Sequence, residues 1–465
     1  MMNKLCCLLK TDEEYIKRIF TIAIPIMIQL SIGISLNLVD SLMIGQLGTE
    51  PLVAVGAANE VFYILSISVY GLCSGSCVFI AQYWGAGDSI RIRKVMGINY
   101  TCVCIFITFA SILIWIFAPH LIWIFARETN IIEEGTTYLR IVAWSYLITC
   151  LADVISLCSR SVQKLMVTTI IYIFAILTNI VLNYCLIYGN FGFPKMGVSG
   201  AAIATVIARS FEFIGFLIYI YHDRSHPLAA SLKELCDFSK SDVKRVLKMS
   251  MPVMISEGGW SIANSMYYIA YGLISSQALA GAQIVVIVGK VYQSFFGGYA
   301  NAAGVLIGEK LGKGNVKEAK EDGKLFIKIV FILGIIFTFI MFFSSTLIAN
   351  CYKFNTEVTL MISQSIKVFS LFIMAKMFGY LFVCGILRGA GDTAFCMFVD
   401  LGTSWIIAVP TVFTAVYFFN ATLPTAVACV YCAEIIKAVL CFYRFKSGKW
   451  IKLAIGNISN NGKEI

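Results

Sequence analysis

The chain has 465 residues, of which 59% are hydrophobic and only 13% charged, against roughly 45–50% and about 25% in soluble globular proteins. That balance argues against a soluble enzyme, because apolar runs of about 20 residues, enough to cross a ~30 Å hydrocarbon core, recur from one end to the other. The net charge of +10 is therefore read as a topology signal before it is read as affinity for nucleic acid or an acidic partner.

The leader MMNKLCCLLKTDEE is too short in its apolar part for a cleaved signal peptide. Charged or Gly/Pro-containing breaks then separate six spans near residues 19–44, 52–80, 95–118, 136–159, 166–188 and 197–221. A charged stretch around Tyr221 to Lys248 follows, and six more spans lie near 246–272, 279–307, 325–350, 359–386, 394–419 and 424–444. The expected fold class is all-α, a polytopic membrane protein of twelve transmembrane helices. The expected organisation is an N-terminal six-helix lobe (1–221), a cytoplasmic linker (222–245), and a C-terminal six-helix lobe with a short cytoplasmic tail (246–465). Most of the 16 cysteines fall inside apolar runs, and Cys429-x-x-Cys432 stands alone in one, so they read as reduced core thiols.

Counting basic residues by side fixes the orientation. The N-terminus, the loops after spans 2, 4, 6, 8 and 10, and the C-terminus carry 26 Lys and Arg, with Lys248 and Arg444 counted at the span edges. The opposite loops carry three, Arg127, Lys195 and Lys353. Both termini are therefore expected in the cytoplasm of a cell whose inner or plasma membrane the chain crosses, and no nucleic-acid partner is needed to explain the charge.

The two halves repeat. Displaced by 227 positions without a gap, Lys17 and Arg18 fall on Lys244 and Arg245, Pro25 on Pro252, Asn37 on Asn264, Gly45 on Gly272 and Gly71 on Gly298. The match ends with Gly85-x-Gly87 on Gly312-x-Gly314, and a displacement of 228 brings Arg160 onto Arg388 and Arg209 onto Lys437. Six spans per unit make the repeat parallel, a geometry found in transporters that rock two bundles about a central site. The glycine pairs follow no strand and lack the Lys-Ser/Thr of a phosphate loop, so ATP hydrolysis is not expected. Arg160 and Arg388 read as topology anchors and gate contacts.

Charges inside spans are costly, about 2.5–3.5 kcal/mol each on insertion scales, and need a cavity or a partner. Asp40, fifteen residues after Pro25, is the first candidate for ion coupling. Its carboxylate can bind a proton, or Na+ if amide and hydroxyl oxygens complete the shell. Asn179 and Asn183, four apart, share one helical face, either as ion ligands or as interhelical hydrogen bonds. The second half carries Glu257, Lys376 and Asp400, and a mutual ion-pair network is the simplest arrangement for them. Trp260, Tyr267 and Tyr268 are candidates for stacking on an aromatic cation. Glu60, Asp153, Glu212, Lys290 and Glu434 are further charges in or near spans, open between cavity and interface. His222 and His226 have metal-like spacing but no third ligand, so no metal site and no cofactor are expected.

Four stretches carry a resemblance over essentially the whole chain: PIMIQLSIGISLNLVDSLMIGQLG from Pro25, AQYWGAGDSIRIRKVMG from Ala81, NIVLNYCLIYGNFGFPKMGVSGAAIAT from Asn179 and GILRGAGDT from Gly385. In this order they resemble the multidrug and toxic compound extrusion (MATE) family of secondary transporters. The resemblance implies twelve helices in two pseudo-symmetric six-helix lobes around a V-shaped central cavity. It also implies xenobiotic efflux: export of small organic, often cationic, compounds in antiport with H+ or Na+, here expected of a monomer in the bilayer. It implies the same aspartate at Asp40, a proline-dependent helix bend at Pro25 with Pro252 in the matching place, and a polar shell of Asn179, Asn183 and Thr205. Where archaeal and bacterial members have an aspartate this chain has Asn183, which puts a two-carboxylate proton mechanism in doubt. Glu257 resembles the span 7 glutamate of members whose cation site lies in the second lobe. The aspartate those members carry in span 10 is not found, since Lys376 and Met377 stand there. Competing readings are a flippase for lipid-linked precursors, which would want more buried cations, and a membrane-embedded enzyme, channel or receptor. Three histidines, all in or near predicted loops, argue against the enzyme.

Overall fold

The computed structural model describes residues 13–352 and 354–454. The leader up to residue 12, Lys353 and the tail from 455 lie outside the described residues. Within them the long helices are α1 (Glu13–Gly45), α2 (Thr49–Ala86), α3 (Ser89–Phe125), α4 (Thr129–Ser161), α5 (Met166–Tyr188) and α6 (Gly197–His222). After a short α7 (Leu232–Cys236) come α8 (Lys240–Ile274), α9 (Ser276–Gly312), α10 (Val316–Asn350), α11 (Thr356–Gly389), α12 (Thr393–Phe419) and α13 (Leu423–Lys446).

Each expected span lies inside one of these helices, and most helices run a few residues further into the polar rim. There the chain still satisfies its own backbone bonds while polar side chains meet water. Eleven are long and apolar enough to cross a membrane by length and composition. The remaining one, α8, has the length at 35 residues, but Ser250, Ser256, Glu257, Gly258, Gly259, Ser261, Asn264 and Ser265 dilute its apolar content.

Local chemistry sets several ends. Asp88 caps α3 by accepting the Arg91 N–H at 3.0 Å, and Ser275 and Asn355 cap α9 and α11 in the same way. Gly189, at φ 77°, closes α5 in the left-handed conformation. Pro25 and Pro252 sit inside α1 and α8, and both helices continue through them. Six-residue and seven-residue π-helical turns interrupt α11 at Leu381–Ile386 and α12 at Gly402–Ala408. The cysteines among the described residues are free thiols.

The described residues form two compact units. One comprises those up to Met27, Ala81–Ala86 and those from Met251 on, the other Ile28–Ile80 and Gly87–Ser250. The chain passes between them inside α1, two residues beyond Pro25, and inside α8, two residues before Pro252. In the second unit α3 packs on α4 and α6 on both α4 and α5; in the first, α11 packs on α10 and α13.

The glycine motifs found in sequence now have a structural role. A Cβ at Gly85 would stand 2.0 Å from the Glu309 carbonyl oxygen, and one at Gly312 would stand 1.9 Å from that of Gln82. The first glycine of each motif therefore lets the ends of α2 and α9 cross backbone to backbone. The second glycines, Gly87 and Gly314, adopt φ of 75° and 79°, the left-handed turn conformation that costs glycine least.

Beyond α13 the chain folds back. Trp450 is 1% exposed and stacks on Phe445. Buried Asp392 pairs with Arg444 at 2.7 Å and Lys452 at 2.5 Å. Gln82 accepts the Ala454 N–H at 2.8 Å and donates to the Lys452 carbonyl at 3.4 Å.

Candidate cation site

The site is built where the C-terminal ends of α1 and α5 meet. The Tyr188 hydroxyl lies 2.8 Å from the Met43 carbonyl oxygen and 2.9 Å from Gln46 Oε1, which fixes the two helix ends side by side. One turn below, Asn183 Nδ2 donates to Asp40 Oδ1 at 2.8 Å and to Asn179 Oδ1 at 3.1 Å. Asn179 Nδ2 in turn lies 3.5 Å from Thr205 Oγ1, whose hydroxyl donates to the Ala201 carbonyl at 3.0 Å. The four sequence-predicted residues of this half thus belong to one array.

The direction of these bonds matters chemically. Both amide hydrogens of Asn183 are spent on Asp40 and Asn179, which leaves Asn183 Oδ1 buried without a hydrogen-bond partner. An unsatisfied buried acceptor is costly, and beside a carboxylate it is the atom a cation uses. Among the described residues Asp40 has no ion pair. Asp40, Asn183 and Thr205 line a cavity of about 380 Å³, counting its open mouth, with Asn59, Tyr138 and Gly56 on its other walls. Tyr138 is 5% exposed and lies near both Asp40 and Thr205. Nothing in its immediate sequence marked it, and only the contact of α4 with α6 brings it in.

Deeper in the same unit one charge pair forms, and among the described residues Asp153 makes no ion pair. Arg209 meets Glu212 at 2.8 Å, with Asp153 and Tyr172 close by. Arg160 does not project into a loop as expected of a topology anchor. It donates to Gln29 Oε1 at 2.9 Å, while Gln29 Nε2 donates to Thr169 Oγ1 at 2.9 Å. α1 is thereby tied to α4 and α5 one turn past Pro25.

The other unit differs from expectation. Glu257, Lys376 and Asp400 do not form a mutual network. Glu257 pairs with buried Arg388 at 2.9 Å, and Asp400 pairs with Lys437 at 2.8 Å and accepts Ser256 Oγ at 2.9 Å. Lys437 also reaches Glu434 at 3.2 Å. Lys376 instead lies over the rings of Phe369 and Tyr431, 5.4 and 5.1 Å from their centroids. The reason is reach: Lys437 and Arg388, the latter expected from sequence in a loop, project from α13 and α11 onto these acids. Their shared position with Arg160 and Arg209 in the repeat was the signal that pointed to them.

Tyr267 is 9% exposed, and Tyr268 meets the edge of Tyr271 at 6.5 Å. Trp260 is half-buried on α8. Glu60 and Lys290 are exposed. His222 is exposed at the end of α6, whereas His226 is packed against Tyr219 and accepts the Leu228 N–H at Nδ1. Burial, then the neighbouring Lys164, hold the His226 imidazole down at about 4. In the same linker, Glu234 pairs with Arg93 of α3 at 2.7 Å. The Ser231 backbone N–H and Arg93 hold the Glu234 carboxyl down at about 2.

Comparison with known proteins bears on the fold and the family. The MatE family model matches residues 25–185 and 252–414, one copy in each half. The chain is 26% identical over 454 residues to the "Probable multidrug resistance protein NorM" of Thermotoga maritima, covering 95% of this chain and 94% of the relative. It is 24% identical to the "Multidrug resistance protein PmpM" of Pseudomonas aeruginosa, over 85% of this chain and 83% of that one. A solved structure of a MATE protein in the bent conformation superposes with a TM-score of 0.85 at 21% identity, covering 95% of this chain and 97% of the other. A MATE protein in complex with MaL6 superposes with the same TM-score at 20% identity, covering 93% and 97%. With two family matches in register with an internal duplication and a helical fold shared end to end, the chain belongs to the MATE family: it is a membrane-embedded efflux transporter, not an enzyme.

Proposed function

We propose that this protein exports small organic cations in antiport with H+ or Na+, and that Asp40 binds the coupling ion. The observation that carries the reading is the Asp40 pocket. It offers a half-buried carboxylate with no resident counter-charge, a neighbouring amide oxygen left unpartnered, and an open mouth. A cation entering there completes the Asn183 acceptor and compensates the carboxylate, so the loaded and empty states differ in free energy. That difference is what an ion must supply to shift a conformational equilibrium.

The chain is read as two lobes, 1–221 and 246–465, joined by the linker 222–245 and alternating about a central site. Both termini lie on the cytoplasmic side, as the basic loops indicate. Pro25 and Pro252 are the bend points of α1 and α8, each two residues from where the chain changes unit. Aromatic residues Trp260, Tyr267 and Tyr268 are the proposed contacts of a cationic substrate. The printed names of the relatives, multidrug resistance proteins, support the substrate class.

The test is efflux of a cationic dye from proteoliposomes with a pH gradient and a Na+ gradient imposed separately. One gradient is expected to drive efflux in the wild type, and neither in Asp40→Asn. Wild-type efflux from Asp40→Asn under the effective gradient would refute the assignment.

A further inference from the structure

We propose that Lys437 is a resident cation that keeps the second half of the molecule from taking a coupling ion, and so assigns ion dependence to Asp40. The inference rests on the Asp40 reading given above.

It follows from how each buried carboxylate is compensated. The six predicted spans of the second half hold three acids, Glu257, Asp400 and Glu434, and each has a basic side chain within ion-pair distance. Lys437 Nζ lies 2.8 Å from Asp400 Oδ1 and 3.2 Å from Glu434 Oε1, while Ser256 donates to the other Asp400 oxygen at 2.9 Å. One ammonium thus sits among oxygens contributed by α12 and α13, with a hydroxyl of α8 completing the shell of Asp400. It is compact, carries three donors and is 7% exposed. Among side chains it is the nearest analogue of a bound monovalent cation. Arg388 serves Glu257 likewise at 2.9 Å.

The first half uses the same register position differently. Arg209, which the repeat places opposite Lys437, engages Glu212 at 2.8 Å and, among the described residues, leaves Asp153 and the cavity-lining Asp40 without an ion pair. A carboxylate inside a membrane needs a counter-charge. Where a tethered cation provides it, none is drawn from solution; where none is tethered, the ion must be imported. Lys437 therefore acts as a specificity-determining residue.

The test uses the purified full-length protein in detergent, melted in NaCl against KCl at equal ionic strength and, in a second arm, with pH varied at fixed salt. Wild type is expected to show a cation-dependent rise in Tm of several degrees, lost in Asp40→Asn. Adding Lys437→Met to Asp40→Asn should restore a cation-dependent rise, because Asp400 and Glu434 are left to recruit Na+ or H+. Adding Asp400→Asn and Glu434→Gln to that protein should abolish it again. Should Lys437→Met fail to fold, Lys437→Gln with Glu434→Gln leaves a single open carboxylate for the same measurement. A folded Asp40→Asn/Lys437→Met protein with no cation response overturns the proposal. So does an Asp40→Asn response that disappears with Asp400→Asn. Gradient-driven efflux by Asp40→Asn in vesicles would instead refute the Asp40 reading itself.

Discussion

Two regions of one duplicated sequence meet the same problem, a carboxylate inside a membrane, and solve it in opposite ways. Along the repeat, Asp40 stands opposite Tyr267, and Asp400 stands opposite Tyr172, so each half has a tyrosine where the other has its acid. In the first half the acid is held by the amide of Asn183 beside an open cavity. In the second it is bridged to Lys437 and covered by Ser256. An amide donor orients a carboxylate without neutralising it, whereas an ammonium neutralises it permanently. Duplicated helices thus provide the scaffold, and a few non-equivalent polar residues decide which half stays open to a mobile cation.

The contrast is broken most severely by stranding a charge on the closed side. Arg388→Leu leaves Glu257 buried alone, and loss of one member of a buried pair costs about 3–5 kcal/mol. Melting of the purified variant should show it, and Glu257→Gln in the same chain should restore most of the loss. On the open side, Asn183→Leu removes the donor to Asp40 and the free acceptor together. We expect a rise in the half-saturating ion concentration of about tenfold, corresponding to about 1.4 kcal/mol, read as ion-dependent dye efflux with the protein still folded. Gln29→Ala unties α1 from Arg160 and Thr169. Leaving a buried guanidinium short of an acceptor costs about 1–3 kcal/mol, seen as a lower Tm.

The smallest effect lies outside the membrane. His226 has its imidazole held at about 4 against an ordinary value of 6.5, so the folded linker binds fewer protons than the unfolded one. Stability should fall as pH drops from about 6.5 towards about 4 and be unaffected above that window. His226→Gln should flatten that part of a pH-melting profile.

Much of this was legible in the sequence. Each of the twelve spans is found within a helix, because a hydrocarbon layer leaves a chain few alternatives. The ungapped repeat located Pro25, Pro252 and both glycine pairs, whose crossing and turning roles follow from the absence of a Cβ. Asp40 is marked by the cost of its charge and Asn179 with Asn183 by one helical spacing, whereas their grouping with Thr205 is what the family resemblance implies. What failed was pairing in the second half. Lys376 was matched with acids near it in span number, while the actual partners, Arg388 and Lys437, come from the far end of α11 and from α13. Ion pairing between helices depends on rotation and depth, which hydropathy does not encode. The passage of α1 and α8 from one compact unit to the other within a continuous helix was likewise invisible, since no break in the sequence marks it.

The central claim is that the open carboxylate, and not the bridged ones, holds the coupling ion. It is tested most directly by equilibrium binding of the driving ion, identified from the vesicle gradients, to purified wild type, Asp40→Asn, and an Asp400/Lys437 variant that carries Asp400→Asn, Glu434→Gln and Lys437→Met together. One site per molecule is expected in the wild type and in the Asp400/Lys437 variant, and none in Asp40→Asn. Binding that survives in Asp40→Asn and is lost from the Asp400/Lys437 variant would contradict the account.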